Sequence, residues 1–254
     1  MTIHQIAVGD LPGFKMDLDP SFAQDRTLIH MFKMGILPEP EVIGAMMRIV
    51  REKDVVIDGG ASNGFFTCLL ASLVGDGGKV MSYEPSRQAF KRLKDNVEIN
   101  NFEQVLLSPQ ILWSDETTVD FTETLDTGLS HVANTAAAPS TYTASATKLN
   151  RPARLIKLDI EGSEYEALTS RNYDGTPYIV CELNEMALHR AGRSQDALRQ
   201  LMRDRGYQMW QLFPDGTLPR LVPYPIALHP KAMNVNVLFA AINDMAMVWK
   251  DVDG

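Results

Sequence analysis

The stretch from Val55 to Val74 constrains this chain more than any other. Val55-Val56-Ile57 is a short, wholly apolar run, and Asp58-Gly59-Gly60-Ala61-Ser62-Asn63-Gly64 follows it at once. Phe66, Leu69, Leu70 and Leu73 then recur at helical spacing until Gly75, Gly77 and Gly78 stop the pattern. A strand, a loop of small residues and an apolar helix make the opening of a β-loop-α unit. A strand with no polar alternation belongs in a parallel sheet covered on both faces.

The rest of the chain repeats the alternation. Lys79 to Tyr83 reads as a strand, and Ser86 to Asn100 as a helix carrying Phe90, Leu93 and Val97. Val105 to Trp113 is a strand region broken by Pro109, while Leu155 to Leu158 and Tyr178 to Cys181 are apolar strands. Ser194 to Arg205 is a helix that Ser194 can cap and Gly206 can end. Tyr207 to Phe213 and Val235 to Ala240 are late strands around a turn at Pro214-Asp215-Gly216. Residues 1–50 read as a helical N-terminal extension or cap, with helix faces at Leu28, Met31 and Phe32 and from Val42 to Val50. Residues 51–254 form the main domain. Residues 122–150, rich in Ala, Ser and Thr, read as an insertion loop, either solvated or closing over a pocket.

Composition excludes several classes of function. The chain has 254 residues, 45% of them apolar, enough for a full core. The longest nearly apolar run, Phe65 to Val74, falls short of the roughly 20 residues of a membrane helix. No basic-then-apolar signal opens the chain. With 24 basic and 32 acidic residues the net charge is −8, and no basic run suggests a nucleic-acid partner. Cys68 and Cys181 lack metal spacing and are too few for a disulfide framework, so a cytoplasmic setting is expected.

The glycine loop must then be matched to a ligand. Small residues allow close backbone approach, and the amides at the following helix start favour a negative group. Gly59 to Gly64 has the glycine interval of a phosphate loop, but Phe65-Phe66 stands where Lys-Ser/Thr is required. Gly60 and Gly64 are spaced by four rather than the three of a dinucleotide fingerprint, and Asp58 would repel a pyrophosphate. S-adenosylmethionine has no phosphate. Asp58 suits its cationic amino-acid end, and amides near Ser62, Asn63 and Gly64 suit its carboxylate. Glu84 ends the next strand, where a carboxylate can accept from both ribose hydroxyls.

These residues resemble the FkbM-type methyltransferases. The resemblance rests on Asp58 to Gly64, Tyr83-Glu84-Pro85-Ser86, Asn96 to Asn101 and Ile156-Lys157-Leu158-Asp159-Ile160-Glu161-Gly162-Ser163-Glu164. It covers about residues 40 to 240, and the Lys-x-Asp-x-Glu-Gly-x-Glu segment is its most specific part. It implies a Rossmann-like class I α/β fold, with a mostly parallel seven-stranded sheet and helices on both faces. It also implies S-adenosylmethionine as cofactor and a hydroxyl oxygen as the usual methyl acceptor. It carries Asp58, Gly60, Ala61 and Gly64 to the methionine end and Glu84 to the ribose. Trp113-Ser114-Asp115 matches the family's short segment near the adenine, which brings Ser114 and Asp115 into the expected cofactor set. The family commonly has Asn where Ser62 stands, and here Asn63 follows it.

Methyl transfer from a sulfonium needs an oxygen held in line and help in removing its proton. Asp159 and Glu182 end neighbouring apolar strands, and Asn184 follows. Together they offer oxygen ligands for Mg²⁺, which would stabilise an alkoxide. The competing role for Asp159 is to bind the cofactor's cationic end or to orient the acceptor hydroxyl. Glu161 and Glu164 read as acids opening a helix. His131 and His189 are candidate general bases. The expected activity is O-methylation of a small-molecule hydroxyl, polyketide- or sugar-like. The alternatives are a non-catalytic domain that binds cofactor or a partner and, less favoured, a dinucleotide oxidoreductase. Acceptor walls are expected from residues 1–50, 122–150 and 184–193.

Overall fold

The computed structural model describes residues 2–124, 130–133, 140–215, 217–224 and 234–249. The chain opens with an antiparallel pair, β1 (Thr2–Ile6) and β2 (Phe14–Leu18), before helices α1 (Ala23–Lys33) and α2 (Pro40–Ile49). The N-terminal segment is thus not wholly helical, as the sequence reading had it. In β2 the alternating residues Phe14, Met16 and Leu18 are buried, the period of a strand with one covered face. The segment is not a separate unit either. Ile6, Phe14, Leu28 and Met46 share one hydrophobic cluster with Val56, Phe65 and Leu69 of the main sheet layer.

The alternating region forms β3 (Val55–Gly59), α3 (Phe65–Val74), β4 (Lys79–Tyr83), α4 (Arg87–Glu98) and β5 (Val105–Ser108). A second small sheet follows, built from β6 (Ile111–Leu112), β7 (Thr117–Thr122), β8 (His131–Val132) and β9 (Thr141–Thr147). This corrects the expected 122–150 loop: β9 pairs along the whole of β7, Thr117 opposite Ala146 through Thr122 opposite Thr141. Residues 125–129 and 134–139 of that stretch lie outside the described residues, as does Gly216 of the expected turn.

The chain then returns to the main sheet with β10 (Leu155–Leu158), α5 (Glu164–Thr169), β11 (Tyr178–Asn184), α6 (Glu185–Arg190) and α7 (Gln195–Asp204). It ends with β12 (Gln208–Gln211), β13 (Arg220–Leu221), β14 (Asn234–Ala240) and α8 (Ile242–Val248). The main sheet has the order β13-β12-β14-β11-β10-β3-β4-β5, eight strands against the expected seven. Strands β5, β4, β3, β10 and β11 are parallel; β14 runs antiparallel to β11, and β12, antiparallel to β14, returns to the direction of the parallel set.

Strand periodicity sends alternate residues to opposite layers. Val56, Leu155, Tyr178 and Val180 join the cluster with α2 and α3. Ile57, Ile156, Ile179 and Cys181 join the other, with Leu168 of α5 and Leu198 and Met202 of α7. Both faces are covered, which is why these strands carry no polar alternation. The fold is the expected Rossmann-like α/β architecture, a mostly parallel sheet with helices on both faces.

Candidate active site

The chain runs outward from β3 to β4 and β5, then crosses back to β10 and β11 on the other side of β3. The switch point lies between β3 and β10, where ligands bind in open α/β sheets. The carboxyl ends of these parallel strands bring Asp58, Glu84, Asp159 and Glu182 to one edge.

The glycine loop is held close to two neighbouring strands. The amides of Gly60 and Ala61 both donate to the Tyr83 carbonyl, each at 3.0 Å. Gly60 has a φ of 75°, and a Cβ there would stand 1.8 Å from the Asp159 carbonyl oxygen. The glycine is therefore required by the backbone after β10, whether or not a ligand is present. Gly64 precedes the first turn of α3 and touches Leu93 rather than the cleft.

Glu84 is 7% exposed and accepts two backbone amides, Ser62 on Oε2 and Ser86 on Oε1, both at 2.8 Å. Burial pushes its carboxyl up to about 7, although those amides favour the anion. Each oxygen keeps a lone pair for a ribose hydroxyl.

Asp58 has a different role from the one expected. It is fully buried and lines neither lobe of the cleft. The Thr67 hydroxyl donates to its Oδ2 at 2.6 Å, and Lys157 Nζ lies 3.8 Å from its Oδ1. Burial raises its pKa, with Lys157 opposing. Lys157 reaches from β10 to the α3 side, 4.9 Å from the centre of the Phe66 ring and 3.4 Å from Asp159 Oδ2. Asp159 and Asp58 together hold its proton against the cost of burial, so it stays a cation. Sequence reasoning quoted Lys157 only within a motif. Its signal was present: a single charge inside an otherwise apolar strand needs a partner.

The cleft has two lobes that meet at Gln24, Gly60, Ser62 and Asp159. One is lined by Tyr83, Glu84, Pro85, Leu112, Phe121 and Val132 and continues to Ile160, Glu161 and Glu182. The other lies under α1, between Leu28 and Met31 above and Phe65, Phe66, Lys157 and Glu39 below. Ser114 and Asp115, expected near the adenine, follow β6 outside both lobes. Gln110, Ile111 and Leu112 supply that wall.

Asp159, Glu161 and Glu182 each present a carboxylate oxygen within 4.8 Å of the others. Burial and then the Asp159 charge push Glu182 up to about 9, and burial with Asp159 pushes Glu39 up to about 7. Asn184 does not join the group. Its side chain accepts from the Ala187 amide at 3.0 Å and caps α6. Glu161 takes the third place because it sits in a left-handed turn, φ 53°, ahead of α5 rather than in the helix. Glu164 turns back instead, accepting from the amides of Ile160 at 3.0 Å and Gly162 at 3.3 Å.

Neither histidine lines the cleft. Ser130 and Val132 do, and the alternation of a strand turns His131 between them away. His189 is exposed in the last turn of α6. Gln24, Asp25 and Glu39, by contrast, were missed. All come from the N-terminal segment and carry no local pattern.

S-adenosylmethionine suits this group of side chains. Its two cationic groups and ribose diol meet a cleft where carboxylates outnumber the one buried lysine, and Glu84 keeps acceptor capacity for the diol. The same carboxylates would repel a pyrophosphate.

Among solved structures, the chain is similar to a TehB-like SAM-dependent methyltransferase from Corynebacterium glutamicum, at 10% identity and a TM-score of 0.49, covering 86% of this chain and 96% of that one. It is also similar to an rRNA methylase from Streptococcus thermophilus, at 15% identity and a TM-score of 0.44, covering 81% and 98%. A third is TYW2 from P. horikoshii in complex with MeSAdo, at 12% identity and a TM-score of 0.44, covering 94% and 70%. No curated protein matches the chain. The sequence model of the methyltransferase FkbM domain matches residues 58–209. That span runs from the glycine loop into β12 and takes in every strand end that carries the site; the chain belongs to the FkbM methyltransferase family.

Proposed function

We propose that this S-adenosylmethionine-dependent methyltransferase acts on a hydroxyl oxygen of a small molecule, polyketide- or sugar-like. The observation that carries the reading is the position of Asp159. It stands where the two lobes meet, beside the glycine loop, and shares one lobe with Glu161 and Glu182. The cofactor supplies a methyl group already activated on a sulfonium. Glu84 accepts from the ribose hydroxyls, and Leu112, Phe121 and Val132 flank the base. Lys157 fixes the Asp159 carboxylate, which orients the acceptor hydroxyl. The Asp159–Glu161–Glu182 group takes the proton. Crowded carboxylates hold protons tightly, and a cation beside them restores an ionised acceptor. The acidic net charge and the small, walled cleft favour a small molecule over nucleic acid. Among the described residues no helix is long and apolar enough to cross a membrane. Cys68 and Cys181 are free and buried, which fits the reducing setting that the cytoplasmic reading assumes.

A second reading has its own observation. Three carboxylate oxygens within 4.8 Å of one another match the hard oxygen ligands of Mg²⁺, which keeps several waters and needs few protein ligands. Asp159, Glu161 and Glu182 would hold it, and it would act as a Lewis acid on the acceptor oxygen. One experiment covers both. The protein is incubated with cofactor and a panel of hydroxylated acceptors, and products are read by mass for one added methyl. Turnover that Asp159→Asn abolishes supports the O-methyltransferase. Cofactor binding with no turnover on any acceptor favours the non-catalytic domain. Activity lost on dialysis against a chelator and restored by Mg²⁺, but not in Glu182→Ala, establishes the metal; full activity after dialysis leaves the carboxylates as the base.

A further inference from the structure

The family match begins at Asp58, yet the glycine loop is fastened from residues before it. Ser62 adopts a φ of 51°, a left-handed conformation that a non-glycine residue takes only under constraint. Four contacts supply that constraint. The Ser62 amide donates to Glu84, and its hydroxyl donates to Gln24 of α1. The side-chain amide of Asn63 donates to Asp25 Oδ1 at 2.7 Å, and its carbonyl accepts from Asn96 at 2.8 Å. Asp25 is 1% exposed. Its other oxygen accepts from Arg92 and from the Asp19 amide, both at 2.8 Å. A buried ion pair of this kind adds little net stability over an apolar substitute, so fixing a conformation is the better account of it.

We propose that Asp25 is a positioning residue for the cofactor. Through Asn63 it holds the Ser62–Asn63 turn in the shape that receives the methionine end. Residues 14–33 are then part of the cofactor site. This rests on the reading that the glycine loop meets that end. Asn63, expected in the cofactor set through the loop amides, spends its side chain on Asp25 and leaves its backbone to shape the loop.

The test uses the full chain and two probes: S-adenosylhomocysteine, and methylthioadenosine, which lacks the amino-acid end. Calorimetry is run well below each variant's unfolding temperature. Asp25→Asn and Asn63→Ala should each weaken S-adenosylhomocysteine binding about tenfold, the loss of one charge-assisted hydrogen bond. The double variant should lose no more than either single, and methylthioadenosine affinity should stay within about twofold. Glu84→Ala should weaken both probes. Equal losses for both probes in the Asp25 and Asn63 variants would mean a general structural role and overturn the proposal. Unchanged S-adenosylhomocysteine affinity in either folded variant would overturn it too. If Asp25→Asn does not fold, Asn63→Ala breaks the same link from the loop side and decides alone. Failure of the wild type to bind, or of Glu84→Ala to weaken binding, would instead strike the assignment of the cleft itself.

Discussion

Glu84 shows how one side chain can serve both fold and ligand. Its two oxygens each accept a backbone amide, one from the glycine loop and one from the turn into α4. Glu84→Gln keeps the volume but can accept at only one of those sites, so its NH₂ must face the other amide. A buried donor left unpaired costs about 1–3 kcal/mol. The variant should therefore unfold at lower denaturant concentration and also bind S-adenosylhomocysteine more weakly; unchanged values of both would remove Glu84 from the loop and from the ribose site. Glu84 and Asp159 were legible in the sequence because each directly follows a strand, and strand ends at a switch point are where ligands lie. Asp58 was legible as a site residue for the same reason, but its depth was not. Whether a strand-end acid faces a cleft or a buried lysine is decided by the next strand over. Asp25 and Gln24 meet the loop only after the chain has folded, across a separation of 38 residues, and leave no local trace.

At the scale of elements, apolar spacing marks α1 to α4 and α7, but not α6 or α8. The N-cap of α7 also appears as read, Ser194 accepting from the Ala197 amide at 3.2 Å. The 111–147 sheet was not readable. Its strands are Thr, Ser and Ala with few apolar anchors, and they become strands by pairing with one another over a small core of Ile111, Phe121, Ala144 and Ala146. The strand β2 did carry a signal, the alternation Phe14, Met16, Leu18. Its partner is unusual. Arg92, Asn96 and Asn100 stand at intervals of four along α4 and just past it, and they bind the Asp17 carbonyl, the Asp17 amide and both backbone groups of Lys15. Four helical residues rise about 6 Å, close to two residues of strand, so a helix stripe can match a strand edge. Asn96 accepts from Asp17 at 2.7 Å and donates to Asn63 at 2.8 Å. Asn96→Ala strands the part-buried Asp17 amide and the buried Asn63 carbonyl and should cost about 3 kcal/mol. Urea unfolding measures it, and a loss below about 1 kcal/mol would mean that β2 is held by its apolar face alone.

The whole molecule carries a charge of −8, and much of what is buried of it lies at one end of the sheet. Burial is the first cause in each of three shifts: Glu39, Glu84 and Glu164 all rise from 4.5 to about 7. The sign follows from linkage. A carboxyl whose folded pKa exceeds its unfolded value binds its proton more tightly when folded. Its contribution to stability is fully present below 4.5 and is lost as pH rises through about 7. Heat stability of the ligand-free protein, measured with chelator present, should therefore fall as pH rises from about 5 to about 8, the window these carboxyls span. Exposed acids of ordinary pKa have titrated before that window opens, so they do not mask the trend. A cation bound in the cleft beside Glu39 and Glu84, which line it, favours their charged forms. The rise in unfolding temperature on adding S-adenosylmethionine should then be larger at the upper end of the window than at the lower, and binding near neutral pH should release protons into the buffer. S-adenosylhomocysteine, which lacks the sulfonium charge, should show a weaker pH dependence. Calorimetry in buffers of different ionisation enthalpy reads the proton release directly. Stability that climbs with pH across the window, or equal pH dependence for the two ligands, would show that the cleft's acids are already balanced by charges within the fold.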